Sequence, residues 1–220
     1  MFMLNFTFTI HWNSGLYILI ALVLLTILIA IITSIMRRFY YKKAQSLLAD
    51  KKYNEAINCL YKTRKLALGN KLLIDMTYLK IATTHLMLNS FNDFYSNINR
   101  VQHKKVLGFK YFWETMFIFL FPNDAISNSY TMQQLNDREF KDYIISQANL
   151  KYELFLNSDK TLYELQSFEF YDSVLKVAYA FNLEDYSYVS NEFDRLYLDL
   201  KNPLLIEYFN KIKATIDAQN

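Results

Sequence analysis

The chain has 220 residues, 53% hydrophobic and 17% aromatic, with 3 Gly, 2 Pro and a single Cys. So much large apolar side chain excludes a disordered polyelectrolyte, so few Gly and Pro exclude a turn-rich β fold, and one Cys excludes an internal disulfide or a paired-thiolate zinc site. The net charge of +3 conceals a dipole: Arg37 to Lys110 carries 15 Lys/Arg and 4 Asp/Glu, net +11, whereas Tyr111 to Asn220 carries 9 and 17, net −8.

The first element is the uncharged run from Leu16 to Met36, 21 residues of which fourteen are Leu, Ile or Val. As a helix it is about 31 Å long, close to the roughly 30 Å of a bilayer core. Thr26, Thr33 and Ser34 interrupt it, but a hydroxyl in a helix bonds a carbonyl one turn back. A cleaved signal peptide fits poorly: no Lys or Arg precedes the run, it exceeds 15 residues, and "TSIMRRF" is a poor cleavage site. Residues 16–36 are therefore expected to contact the lipid bilayer as a transmembrane helix. Arg37, Arg38, Lys42 and Lys43 follow at once, while His11 is the only basic side chain before it. The positive-inside rule then puts residues 1–15 outside and 37–220 in the cytoplasm, as a single-pass cell-membrane protein. Trp12 and Tyr17 fit one interfacial belt, and Phe39, Tyr40 and Tyr41 the other.

Tyr40, Ala44, Leu47 and Leu48 form an apolar stripe, and Tyr53, Ala56, Ile57, Leu60 and Tyr61 form a second. The polar joint "ADKK" between them predicts a helical hairpin. Its later half returns 38 residues on: "LLADKKYNEAINCL" is echoed by "HLMLNSFNDFYSNI". Ser90-x-x-Asp93 has the form of a capping box for the second hairpin's later helix. "VLKVAYAFNLEDYSYVSNEF" is a third, weaker echo, with Tyr186 as the aromatic and Val189 in the small-residue place. Pro203 fits the first turn of a last helix. Self-similarity at such a period marks stacked helical pairs.

These residues resemble the tetratricopeptide-repeat family, whose helix pair places an aromatic and a small residue early in each helix. Tyr40, Ala44, Tyr53 and Ala56 occupy those places; Phe94 and Val189 stand where the family has a small residue. The resemblance covers about half of residues 37–220 and implies an all-α, irregular solenoid. It also implies a concave groove lined by the first helix of each pair, with Arg38, Tyr41, Gln45, Leu48 and Ala49 in the first pair. Met76, Leu79, Thr83, Leu86 and Met87 follow in the second. Such a groove binds peptide segments of another protein. Family members that grip a C-terminal carboxylate use Lys and Asn where Tyr41 and Gln45 stand, so that mode is not carried over.

Between the repeats, "FKYFWETMFIFLF" over 109–121 is too short to span a bilayer. Phe109, Phe112, Trp113, Met116, Phe117 and Leu120 share one face with Lys110 and Glu114 opposite, so it is expected to be a core helix; an interfacial helix is the alternative. Pro122-Asn123-Asp124 stops it, and Thr131-x-x-Gln134 is expected to cap a longer helix reaching Leu156.

No nucleophile–base set, metal-ligand spacing or phosphate loop emerges. His85 reads as a core or groove residue, His103 sits in a basic stretch, and neither a catalytic role nor a cofactor is assigned. The expectation is a membrane-anchored scaffold that holds a partner protein, with no enzymatic activity. The rival readings are membrane-surface or nucleic-acid contact through residues 37–110, nucleic acid being disfavoured because the charges are dispersed, and self-assembly into homo-oligomers.

Overall fold

The structure, a computed structural model, describes residues 2–126, 136–158 and 168–219. Every regular element among the described residues is an α-helix: α1 (Phe2–Ala49), α2 (Tyr53–Lys65), α3 (Lys71–Leu86), α4 (Phe91–Ile98), α5 (Lys104–Leu120), α6 (Pro122–Ile126), α7 (Asp137–Leu156), α8 (Phe168–Asn182), α9 (Tyr186–Tyr197) and α10 (Pro203–Asp217). The all-α expectation holds. The chain divides into two compact units, Met1–Thr77 and Tyr78–Asn220, with the boundary inside α3.

The first unit is built on α1. Residues 15–32 are all exposed, and the helix is long and apolar enough to cross a membrane: its most apolar 18-residue window has a mean hydropathy of 3.1, and none of that window is buried. A core helix of that composition would instead be covered by protein. The hydroxyls of Thr26 and Thr33 donate to the carbonyls of Val23 and Ile29 at 2.7 and 2.9 Å, so neither is left unsatisfied in an apolar surround. α1 does not break at the basic residues. It runs on to Ala49, where Ala44 and Leu47 are buried, as are Ala56, Ile57 and Leu60 of α2. The two alanines leave room for close helix approach, and the Lys62 ammonium sits 5.2 Å from the Tyr40 ring centre. Lys62, Arg64 and Lys65 in the last turn of α2, and Glu55 in its first, complement the helix dipole.

Three joints share one backbone form. Lys51, Asn89 and Glu184 all have positive φ, at 59°, 53° and 63°. In each, the next residue's N–H reaches back to a carbonyl five positions earlier: Lys52 to Leu47, Ser90 to His85 and Asp185 to Ala180. Lys51, Asn89 and Glu184 themselves donate to Leu48, Leu86 and Phe181. This is the Schellman pattern, which satisfies the last carbonyls of one helix, and the following residue at once opens the next helix. The sequence echoes at offsets of 38 and 133 residues therefore coincide with repeated local geometry.

Ser90 does open α4, but its side chain makes no capping hydrogen bond. Its N–H belongs to the Schellman turn and its ψ is 73°, away from the extended ψ that aims a short hydroxyl at the third helical N–H. Asp185 has nearly the same backbone (ψ 69°), yet its longer carboxylate accepts from Tyr188 N–H. α7 carries a complete capping box, with Asn136 accepting from Glu139 N–H and Glu139 accepting from Asn136 N–H, both at 3.0 Å. That helix reaches Leu156 as expected, whereas Thr131 and Gln134 lie outside the described residues. Pro203 stands in the first turn of α10 behind its cap Asn202.

The second unit is organised around α5. This helix packs most extensively along α7 and also against α8, and is the core helix that its aromatic run predicts. Phe117 stacks on Phe94 with ring centres 5.1 Å apart and meets Phe91 edge-on, while Phe112 lies 4.5 Å from Tyr171. α8, α9 and α10 extend the same core through Leu175, Phe193 and Phe209. Glu114, opposite the aromatic face, is itself only 6% exposed, because neighbouring helices cover α5 nearly all round.

Candidate functional site

In the first unit the candidate surface is electrostatic. Residues 1–77 contain ten Lys/Arg and three Asp/Glu, net +7, and residues 78–220 fourteen and eighteen, net −4. Of the membrane-proximal quartet, Arg38, Lys42 and Lys43 are exposed, and Arg37 is half-buried with its guanidinium 3.5 Å from Ser34 Oγ. Lys51, Lys52, Lys62, Lys65 and Lys71 are exposed as well. The hairpin thus presents cations on its surface directly after the apolar run.

The groove residues implied by the family resemblance fall in both units. In the first, Arg38, Gln45 and Met76 are exposed and Tyr41 is half-buried. In the second, Leu79 and Met87 are half-buried, Leu79 packing against the core. Thr83 is buried and spends its hydroxyl on the Lys80 carbonyl at 3.1 Å, and Leu86 is fully buried. Of these residues, Arg38, Gln45 and Met76 of the first unit are therefore open to solvent, and Tyr41 in part; in the second unit Met87 is in part.

The second unit contains two polar constellations that sequence reasoning missed. Glu114 Oε2 lies 3.1 Å from the Lys151 ammonium, and Oε1 lies 3.9 Å from that of Lys110. The Lys151 contact is an ion pair without hydrogen-bond alignment, since Oε2 has no hydrogen-bond partner. A cavity of about 260 Å³ opens beside it, lined in part by Tyr95, Asn99, Tyr143 and Gln147. Burial, with the Glu114 charge adding, pushes the Tyr95 hydroxyl up to about 12. The signal was present as a lone acid inside an otherwise apolar run, but its main partner sits on another helix.

The second constellation joins Tyr152, whose hydroxyl donates to Asp172 at 2.5 Å, to Lys176, whose ammonium meets the other Asp172 oxygen at 2.7 Å. Burial first, and then this hydrogen bond, hold the Tyr152 hydroxyl above the usual phenol range. Tyr152, Tyr179 and Tyr188 line an open groove of about 400 Å³ between α7, α8 and α9, with Leu183 and Lys176 at its sides. The Tyr179 hydroxyl is buried with no hydrogen-bond partner.

Among the described residues no group of three His, Cys, Asp or Glu is placed to hold a metal ion. Cys59 is buried. His85 Nδ1 lies 3.8 Å from Asp93, and burial lowers its pKa against that carboxylate's opposing pull. His103 serves as the N-cap of α5, its Nδ1 accepting from Lys105 N–H at 3.2 Å. Comparison with protein-family models, with curated proteins and with solved structures finds no match to this chain.

Proposed function

We propose that this protein is a single-pass membrane anchor, N-terminus outside, whose cytoplasmic helical-hairpin domain holds a partner protein at the membrane face. The observation that carries the reading is the continuity of α1: an uncovered apolar helix of bilayer length passes without a break into the first hairpin. Cations cluster on the side where the positive-inside rule keeps them cytoplasmic. The thrice-repeated Schellman joint supports a tetratricopeptide-like, irregular solenoid, and Arg38, Tyr41, Gln45 and Met76 of the first unit offer mixed contacts for a peptide. Tethering raises the local concentration of whatever the domain binds, so modest affinity suffices. The proposal gives the chain no catalytic role.

Proximity labelling from the C-terminus in living cells, combined with protease treatment of intact cells, tests it. The expected result is a C-terminal domain resistant to outside protease and a reproducible set of cytoplasmic neighbours that Arg38→Glu/Met76→Glu depletes. Shaving of the domain from outside, or a neighbour set unchanged by those substitutions, refutes it. A second reading is favoured by the +7 charge of the first unit: contact with an anionic surface, which predicts binding that weakens as salt rises.

A further inference from the structure

The register of the α1–α2 hairpin locates one loop relative to the bilayer. Tyr40 and Lys62, which touch, lie equally far in sequence from Lys51 at the joint, so α2 runs antiparallel to α1 with a register centred there. The same register sets Lys65 level with Arg37, the first charge after the apolar run. α2 therefore descends towards the bilayer, and its end and the loop over 66–70 form the membrane-ward end of the hairpin.

That loop has an unusual composition and shape. Ala67 is buried, but Leu68 is 65% exposed and has a φ of 47°, in the left-handed region where a leucine is strained; Gly69 continues there at 77°. A bulky apolar residue held in a costly conformation and turned away from the protein adds little to folding. Lys65 and Lys71 flank it, both exposed, and Phe39, 56% exposed, stands on α1 near the same level. An apolar tip ringed by cations suits the boundary between acyl chains and anionic headgroups.

We propose that the loop over 66–70 is a second membrane contact, with Leu68 dipping into the acyl boundary and Lys65 and Lys71 resting on anionic headgroups. The inference relies on residues 16–36 spanning the bilayer, and deepens the surface-contact reading by naming its occupant and its tip. Anchored at two points, the hairpin is fixed in rotation about the α1 axis.

The test uses the full chain, one copy per nanodisc of phosphatidylcholine with or without phosphatidylserine. In a Cys59→Ala background, an environment-sensitive fluorophore is placed at Leu68→Cys, at Asn54→Cys near the joint, or at Leu25→Cys within the span. Lipids carrying quenchers near the headgroup should quench the label at 68 several-fold more than at 54. Phosphatidylserine should strengthen that quenching, and Lys65→Gln/Lys71→Gln should remove the gain. A label at 68 quenched only by aqueous iodide overturns the inference. So does one shielded from iodide yet untouched by lipid quenchers, which means a protein covers the loop. Quenching indifferent to phosphatidylserine overturns the headgroup contact. Failure of deep quenchers to reach position 25 fails the spanning reading itself, which separates the two outcomes.

Discussion

Replacing Lys151 by methionine isolates the ion pair at the centre of the second unit. Glu114 is 6% exposed and Lys151 40% exposed, with 3.1 Å between the charges. At an effective dielectric constant of about 20 that separation corresponds to about 5 kcal/mol of attraction, and in bulk water to about 1. Stripping one partner from a buried pair costs about 3–5 kcal/mol. Lys110 remains at 3.9 Å and Lys151 is partly solvated, so about 2 kcal/mol is the expected loss. For a chain of this size that lowers Tm by about 4–8 °C. Glu114→Gln should cost less, about 1 kcal/mol, because the freed ammonium returns to water. Pairing Glu114→Leu with Lys151→Met should recover most of the loss. Trp113 is the buried neighbour of Glu114, so its fluorescence during thermal unfolding, in a Trp12→Phe background in nanodiscs, follows the relevant core. If Lys151→Met lowers Tm by no more than Glu114→Gln does, water in the adjoining cavity already solvates the carboxylate and the reasoning fails.

Three further outcomes are expected. Lys51→Gly should stabilise by about 0.5–1 kcal/mol, read from urea midpoints, since Lys51 holds a positive φ that glycine adopts without a Cβ penalty, whereas Glu184→Gly should gain less because it also removes the exposed ion pair to Lys141. Tyr179→Phe removes a buried, unpartnered hydroxyl and should be neutral or stabilising by up to about 1 kcal/mol; Tyr152→Phe breaks the bond to Asp172 and should cost about 1–2, both measured by thermal scans. Burial raises the hydroxyls of Tyr95 (to about 12), Tyr152, Tyr179 and Tyr208 above the ordinary 10. The unfolded chain thus loses these protons first, so their contribution is complete below pH 10 and declines as pH rises from 10 towards 12. The last part of the tyrosinate absorbance, contributed by these buried hydroxyls among the 18 tyrosines, should therefore appear together with loss of helical circular dichroism, and its completion while the helix signal is intact would contradict this.

Helix class, the apolar span and the position of the joints were legible because each has a strong local signature: uninterrupted hydropathy, period-3.6 stripes, and polar breaks before Tyr53, Phe91 and Tyr186. The form of the joints was hidden. Lys51, Asn89 and Glu184 share a backbone but no chemistry, and only Asn89 belongs to the residue types that favour a left-handed φ. The capping box written in Ser90 and Asp93 failed because the preceding turn had already set the Ser90 backbone. The burial of Glu114 was not legible because its environment is made by α7, which no pattern within α5 reveals. Thr83 and Leu86 were assigned to an open groove by family geometry, yet α3 is apolar on most sides, leaving no polar stripe to mark the accessible face. Interaction surfaces depend on which helices meet, and that is decided by non-local packing.

The unbroken passage of α1 from apolar run to hairpin has a mechanical consequence. The stretch from Arg37 to Ala49 adds roughly 20 Å of stiff rod beyond the last apolar residue, with no glycine or proline to act as a swivel. A lean of about 20°, common for spanning helices, would sweep its far tip sideways by about 7 Å. With residues 16–36 spanning the bilayer as proposed, any change of bilayer thickness that alters this lean would move whatever the tip carries.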